Sequence, residues 1–153
     1  MTYDSKLSGV LHVLLHMLAM TAPATSEQLA QIMGSHPVVV RRIMAGLREQ
    51  GFVTSAKGHG GGWRIACDPA AVTLADIYRA VGAPPLLALG HRSQAPGCLV
   101  ERAVNRALDG AFRDLEALFE ARLGAVTLAT LSDDFNRGLA ERGLTLESQN
   151  HES

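Results

Sequence analysis

The chain has 153 residues, 47% of them hydrophobic and 19% charged, and its formal net charge is −1. That apolar content supports one packed domain, or a small domain with an oligomerisation extension, and excludes a largely disordered chain. No run of about 18 apolar residues suggests a membrane span. The start MTYDSK lacks a secretory-signal pattern, and the two cysteines, Cys67 and Cys98, form no disulfide framework, so a reducing, cytoplasmic setting is the expectation.

The charge is uneven along the chain. Residues 1–65 hold six Lys/Arg (Lys6, Arg41, Arg42, Arg48, Lys57, Arg64) against three acids, whereas residues 66–153 hold eight against twelve. The bases of the first part gather at 41–64, which points to a local phosphate-binding face. Ordinary surface charge is the competing reading.

Residues 6–20 read as a helix apolar around most of its circumference, ended by Pro23 and expected to be buried on nearly all sides. Thr25 and Gln28 form a T-x-x-Q capping box that opens a second helix at 26–33. Gly34 permits a sharp turn. Ser35 as cap and Pro37 in the first turn open a third helix, 35–50, with Val39, Ile43, Met44 and Leu47 as its core face and Gly51 as its end. Strands follow at 52–55 and 63–66, joined through the glycine-rich tip Gly58-His59-Gly60-Gly61-Gly62. Helix, tight turn, helix and hairpin make a winged helix-turn-helix, a layout that puts residues 35–50 in a DNA major groove.

Thr73 and Asp76 repeat the capping pattern ahead of a short helix, 74–81. Residues 82–97 read as an irregular loop folded onto the body. From Leu99 to about Val126, apolar residues recur at helical spacing, which predicts a helix of ~40 Å. Its unbroken stripe calls for a partner of similar length. The simplest is an antiparallel copy from a second chain, through Val100, Val104, Ala107, Leu108, Ala111, Phe112 and Leu115, with the small residues permitting close approach. Packing within one chain is the competing reading. A short helical piece is expected at 127–131 and a frayed tail after Gly138.

Several motif matches fail. Gly58-His59-Gly60 resembles the first glycines of a dinucleotide fingerprint, but a strand follows where that fingerprint needs a helix. His59-Gly60-Gly61-Gly62 matches the oxyanion motif of some esterases, yet no G-x-S-x-G elbow exists in the chain. With no C-x-x-C, H-E-x-x-H or P-loop either, an enzyme is not expected. His12 and His16 are one helical turn apart and can ligate a metal, but a hydrogen-bonded imidazole pair is the expectation. Cys98 opens the long helix, where the helix N-terminus favours a thiolate. It reads equally as an oxidant or electrophile sensor and as an inert small hydrophobe. Cys67, at a strand end, reads as structural.

The run HPVVVRRIMAGLREQGFVTSAKGHGGGWRIACDPAAVTLADIYRAV resembles the Rrf-two (IscR/NsrR) family of bacterial winged-helix transcription regulators, and the likeness extends from Lys6 to about Leu131. It rests on the glycine-rich wing, the TLADIYRAV helix and the long helix together. The resemblance implies a homodimer bridged by the long helices, a sensor loop before each, and repression from a pseudo-palindromic double-stranded DNA operator. It divides the chain into a DNA-binding unit at 1–82, a sensor loop at 83–98, a dimerisation helix with a helical piece at 99–137, and a flexible tail at 138–153. Cluster-binding members carry three cysteines in and after the sensor loop, but only Cys98 stands there, and Gly9 occupies the place of an acidic ligand. A site of Cys98, His12 and His91 is conceivable. The chain looks more like the cluster-free branch, with no cofactor and with a thiol, small-molecule or protein signal.

For DNA, the expected contacts are Ser35, His36, Pro37, Val38, Arg41 and Arg42 at the start of the recognition helix. Lys57, His59, Gly60 and Gly61 on the wing complete the set. An atypical metal or iron–sulfur switch, and a winged helix used for protein contacts, are the alternatives.

Overall fold

The computed structural model describes residues 4–87, 89–93 and 97–145. Six helices and one hairpin follow in order: α1 Lys6–Ala19, α2 Ser26–Met33, α3 Pro37–Glu49, β1 Val53–Ala56, β2 Gly62–Ile65, α4 Leu74–Ala80, α5 Leu99–Gly124 and α6 Leu128–Glu141. The chain is therefore mainly helical with a two-stranded wing and a long C-terminal helix, as expected from its patterning.

Local chemistry sets most element ends. Thr25 accepts from the Gln28 N–H at 3.2 Å while the Gln28 side chain accepts from the Thr25 N–H at 2.9 Å, which closes the capping box of α2. Gly34 ends α2 at φ 64°, the left-handed conformation that the turn requires. The third helix starts later than its sequence suggests. His36, not Ser35, is the cap: its Nδ1 accepts from the Val38 N–H at 3.3 Å, and Pro37 is the first helical residue.

The core is built from Val10, Val13, Leu14 and Met17 of α1, Leu29 and Ala30 of α2, Val40, Met44 and Leu47 of α3, and Leu74 and Ile77 of α4. Burying a Leu or Val side chain contributes about 1.5–3 kcal/mol, so this cluster holds the helix-turn-helix together. On α3 the buried valine is Val40 rather than Val39, which is exposed. Position 40 shares a face with 44 and 47, while 39 points toward a groove beside α1 and α4. Likewise α1 is not buried all round: His12 and Ala19 stay on an exposed stripe.

The wing pairs Val53 with Ile65 and Ala56 with Gly62 in antiparallel register. Ala24 adds a one-residue third strand: its N–H donates to the Trp63 carbonyl at 2.9 Å and the Trp63 N–H donates back at 2.8 Å. Gly62, at φ 141°, runs so close to this strand that a Cβ there would lie 2.6 Å from the Ala24 carbonyl oxygen.

At the other end, Thr73 and Asp76 close the capping box of α4. The Leu74 N–H donates to the Val126 carbonyl at 2.9 Å and the Leu128 N–H to the Val72 carbonyl at 3.0 Å, so the junction of α5 and α6 is stitched to the start of α4. Phe119 of α5 meets Tyr78 edge-on at 5.2 Å between centroids. Helix α6 is much longer than the expected piece at 127–131. It continues past Gly138 to Glu141, and Leu139 is buried, so the stretch just after Gly138 is ordered helix rather than a frayed end. Residues 146–153, the rest of the expected tail, lie outside the described residues, as do Gln94, Ala95 and Pro96 of the loop.

Candidate nucleic-acid interface

With Val40, Met44 and Leu47 turned inward, the opposite side of α3 presents Val38 and Arg42 to solvent; Val38 is 51% exposed. Among the described residues no ion pair engages Arg42, and none engages Lys57 at the wing tip. Lys57, His59 and Gly60 are exposed, and Gly61 is half-buried beneath them. The wing tip is tight: the Gly61 N–H donates to the Gly58 carbonyl at 3.0 Å, and a Cβ at Gly61 would fall on the Ala56 carbonyl oxygen. Ser35 is half-buried in the turn, and His36 and Pro37 start the helix.

Arg41 is committed differently. Its Nη2 lies 2.8 Å from Glu27 Oε1, an exposed ion pair across the turn between α2 and α3. Hydrogen bonds from Glu27's own backbone N–H, and then from Arg41, hold that carboxyl below the usual range. Exposed pairs of this kind contribute little and are screened by salt, so the pair orients Arg41 without locking it.

A second set of contacts fixes the wing against α3. The Arg48 guanidinium lies 5.7 Å from the Trp63 ring centroid, and its Nη1 donates to Ser55 Oγ at 3.0 Å. Trp63 Nε1 donates to Ser26 Oγ at 3.1 Å. In the sequence Arg48 is only one of the clustered bases and Trp63 only a residue of the second strand. Nothing local in the sequence links positions 26, 48, 55 and 63.

The other expected site residues do not converge. Cys98 is exposed at the first-turn end of α5. Its sulfur makes no capping hydrogen bond, but the N–H groups of Glu101 and then Val100 point toward it and pull the thiol pKa down. Cys67 is half-buried, and burial pushes its thiol up. His91 Nε2 lies 2.7 Å from Asp109 Oδ1, and Asn105 Nδ2 donates to the Ser93 carbonyl at 2.9 Å, so the loop before α5 is pinned along that helix. His12 pairs with His16, Nε2 to Nε2, at 3.0 Å. Of the expected dimer residues, Val100, Val104, Ala107, Leu108, Ala111 and Leu115 are exposed, and Phe112 is half-buried beside His91.

A short turn between two packed helices, a second helix that presents Val38, Arg41 and Arg42 to solvent, and a glycine-tipped wing clamped to it define a winged helix-turn-helix DNA-binding protein. The model of the Rrf2 family, described as an iron-dependent transcriptional regulator, matches residues 3–134, and the chain belongs to that family. It is 31% identical over 125 residues to YwnA of Bacillus subtilis (strain 168), a candidate HTH-type transcriptional regulator, covering 82% of this chain and 92% of YwnA. A solved structure described as a candidate DNA-binding protein is 28% identical, with TM-score 0.64 over 82% of this chain and 97% of that one. A candidate transcriptional regulator from Lactobacillus plantarum shares the fold at TM-score 0.74 and 23% identity, over 97% and 99% of the two chains. The protein is thus a transcription regulator and not an enzyme. No helix among the described residues is long and apolar enough to cross a membrane.

The family description points to iron, and the residues present do not fit a cysteine-held centre. Cys67 follows β2 whereas Cys98 precedes α5, His12 and His91 have separate partners, and no group of three or more His, Cys, Asp or Glu side chains gathers among the described residues.

Proposed function

We propose that the chain is a homodimeric repressor that reads a pseudo-palindromic operator, with α3 and the wing of each protomer on one half-site. The N-terminal part of α3 would meet the DNA through Val38 on a thymine methyl and Arg41 or Arg42 on guanine or phosphate, with Ser35, His36 and Pro37 at its start and Ser35 and His36 bonding bases or phosphates. Lys57 and His59 would follow the backbone or the minor groove, and Gly60 and Gly61 let the wing approach closely. The observation that carries the dimer is α5 itself: in 26 residues it has no buried one, and Leu99, Val100, Val104, Leu108, Leu115 and Leu118 are all exposed. An uncovered apolar stripe of this length marks an association surface, and two-fold symmetry would pair it with its own copy.

The signal would enter at residues 83–98. An exposed thiol with a lowered pKa favours an oxidant or electrophile, and a small-molecule effector on the same loop is the other form of the reading. Size-exclusion chromatography with light scattering tests the dimer: Leu108→Glu should run as a monomer and lose operator binding, and a dimeric Leu108→Glu would overturn it. Mobility-shift titrations at fixed salt test the DNA face. Arg41→Ala and Arg42→Ala should each weaken operator binding by about 1–3 kcal/mol per base contact, and unchanged binding would overturn the assignment. Operator release by oxidant that persists in Cys98→Ser would overturn thiol sensing.

A further inference from the structure

His12 and His16 project from one face of α1, and the DNA-reading surface uses neither. Their Nε2 atoms are 3.0 Å apart, with ring centroids at 4.8 Å and planes tilted by 54°. The helix holds this spacing, because residues four apart stand one turn above each other. The distance has a specific chemical meaning. Two metal–imidazole bonds of about 2.1 Å meeting at a right angle span about 3.0 Å, and at a tetrahedral angle about 3.4 Å.

We infer that His12 and His16 form a two-imidazole site for a late first-row divalent cation of the zinc, nickel or copper type, with water completing the coordination. In the metal-free pair one ring's Nε2–H donates to the other ring's Nε2. On binding, the donor ring carries its proton on Nδ1 instead, and a modest turn of both rings aims the two lone pairs at a common point. No oxidation and no thiolate is involved, which separates this site from a cysteine-held iron centre. Ligand type agrees with the choice of ion, since imidazole suits zinc, copper and nickel over magnesium or calcium. Access is open at His12, which is exposed, while His16 beside it is half-buried.

The test uses the full chain carrying Cys98→Ser, so that thiol binding does not contribute. Calorimetric titration with zinc chloride in a non-coordinating buffer should show one zinc per chain, and zinc should raise the melting temperature by linkage. Both effects should vanish in His12→Gln, a change at an exposed position that leaves the fold and operator affinity as they were, and also in His16→Gln. No zinc uptake by the Cys98→Ser protein overturns the site. So does uptake that is unchanged by His12→Gln, or uptake that depends on His91 instead.

Discussion

Gly62→Ala should damage this protein far more than its surface position suggests. Gly62 sits at φ 141°, where an L side chain is strained, and an added Cβ would lie 2.6 Å from the Ala24 carbonyl oxygen, 3.0 Å from its carbon and 3.2 Å from the Pro23 Cβ. Backbone on the far side cannot yield cheaply, because Ala24 and Trp63 exchange both of their hydrogen bonds, at 2.9 and 2.8 Å. The strained φ costs about 1–2 kcal/mol. Loss of the two bonds adds about 1 kcal/mol each, so the expected destabilisation is about 3–4 kcal/mol. Gly60→Ala is the control: its φ is 75°, but no atom lies within 4 Å of its Cβ, so only the conformational cost of about 1–2 kcal/mol applies. Urea unfolding can be followed through Trp63, the single tryptophan, which is itself part of the strained contact. A Gly62→Ala protein no less stable than Gly60→Ala would refute the close-approach argument.

Three further outcomes are expected. Leu29→Ala empties a fully buried position at the centre of the helix-turn-helix and should cost about 2–5 kcal/mol in chemical denaturation. The Thr73 backbone N–H first, with help from the Thr73 hydroxyl and Arg79, lowers the Asp76 carboxyl pKa. Its contribution is therefore complete above the ordinary aspartate value and lost as pH falls through the lower folded value, so Asp76→Asn should flatten the acid limb of a stability-against-pH curve. In a thiol-titration assay near pH 7, Cys98 should react well before Cys67, whose thiol is half-buried and shifted up. Cys98→Ser should then leave only the slow phase.

What the sequence made legible is what depends on neighbours a turn away. The two capping boxes, the glycine that turns α2 into α3, and the long apolar period of α5 are all local signals, and all appear in the structure. The misplacements have equally local causes. Val38-Val39-Val40 has no internal periodicity, so only the packing of α3 on its neighbours, α2, β1 and α4, decides that Val40 goes inward. Ser35 and His36 can both cap a helix, and the turn after Gly34 leaves Ser35 half-buried and His36 in the cap geometry. Helix α6 was hidden because Ser132, Asp133, Asp134, Asn136 and Arg137 dilute a thin apolar stripe that still reaches Leu139. The clamps Arg41–Glu27 and Arg48–Trp63 join separate elements, a relation that one sequence cannot display.

The uneven anchoring of α5 bears directly on the proposed signal. Its C-terminal part is held by this chain: Leu123 packs on the core, as does Val126 just past the helix end, Phe119 meets Tyr78, and the junction with α6 is bonded to the start of α4. Its N-terminal part meets the preceding loop through His91–Asp109 and Ser93–Asn105, while Leu99 and Val100 are 77% and 72% exposed. In the proposed dimer the partner would cover that exposed end, next to Cys98. A change at the thiol would then act on the exposed end of α5. The resulting shift would be transmitted to the winged body at one defined place, the hydrogen-bonded seam of Val72, Leu74, Val126 and Leu128. Because α4 starts at that seam and packs on α3, rotation of α5 about it would change the separation of the two recognition helices without disturbing the core of either domain.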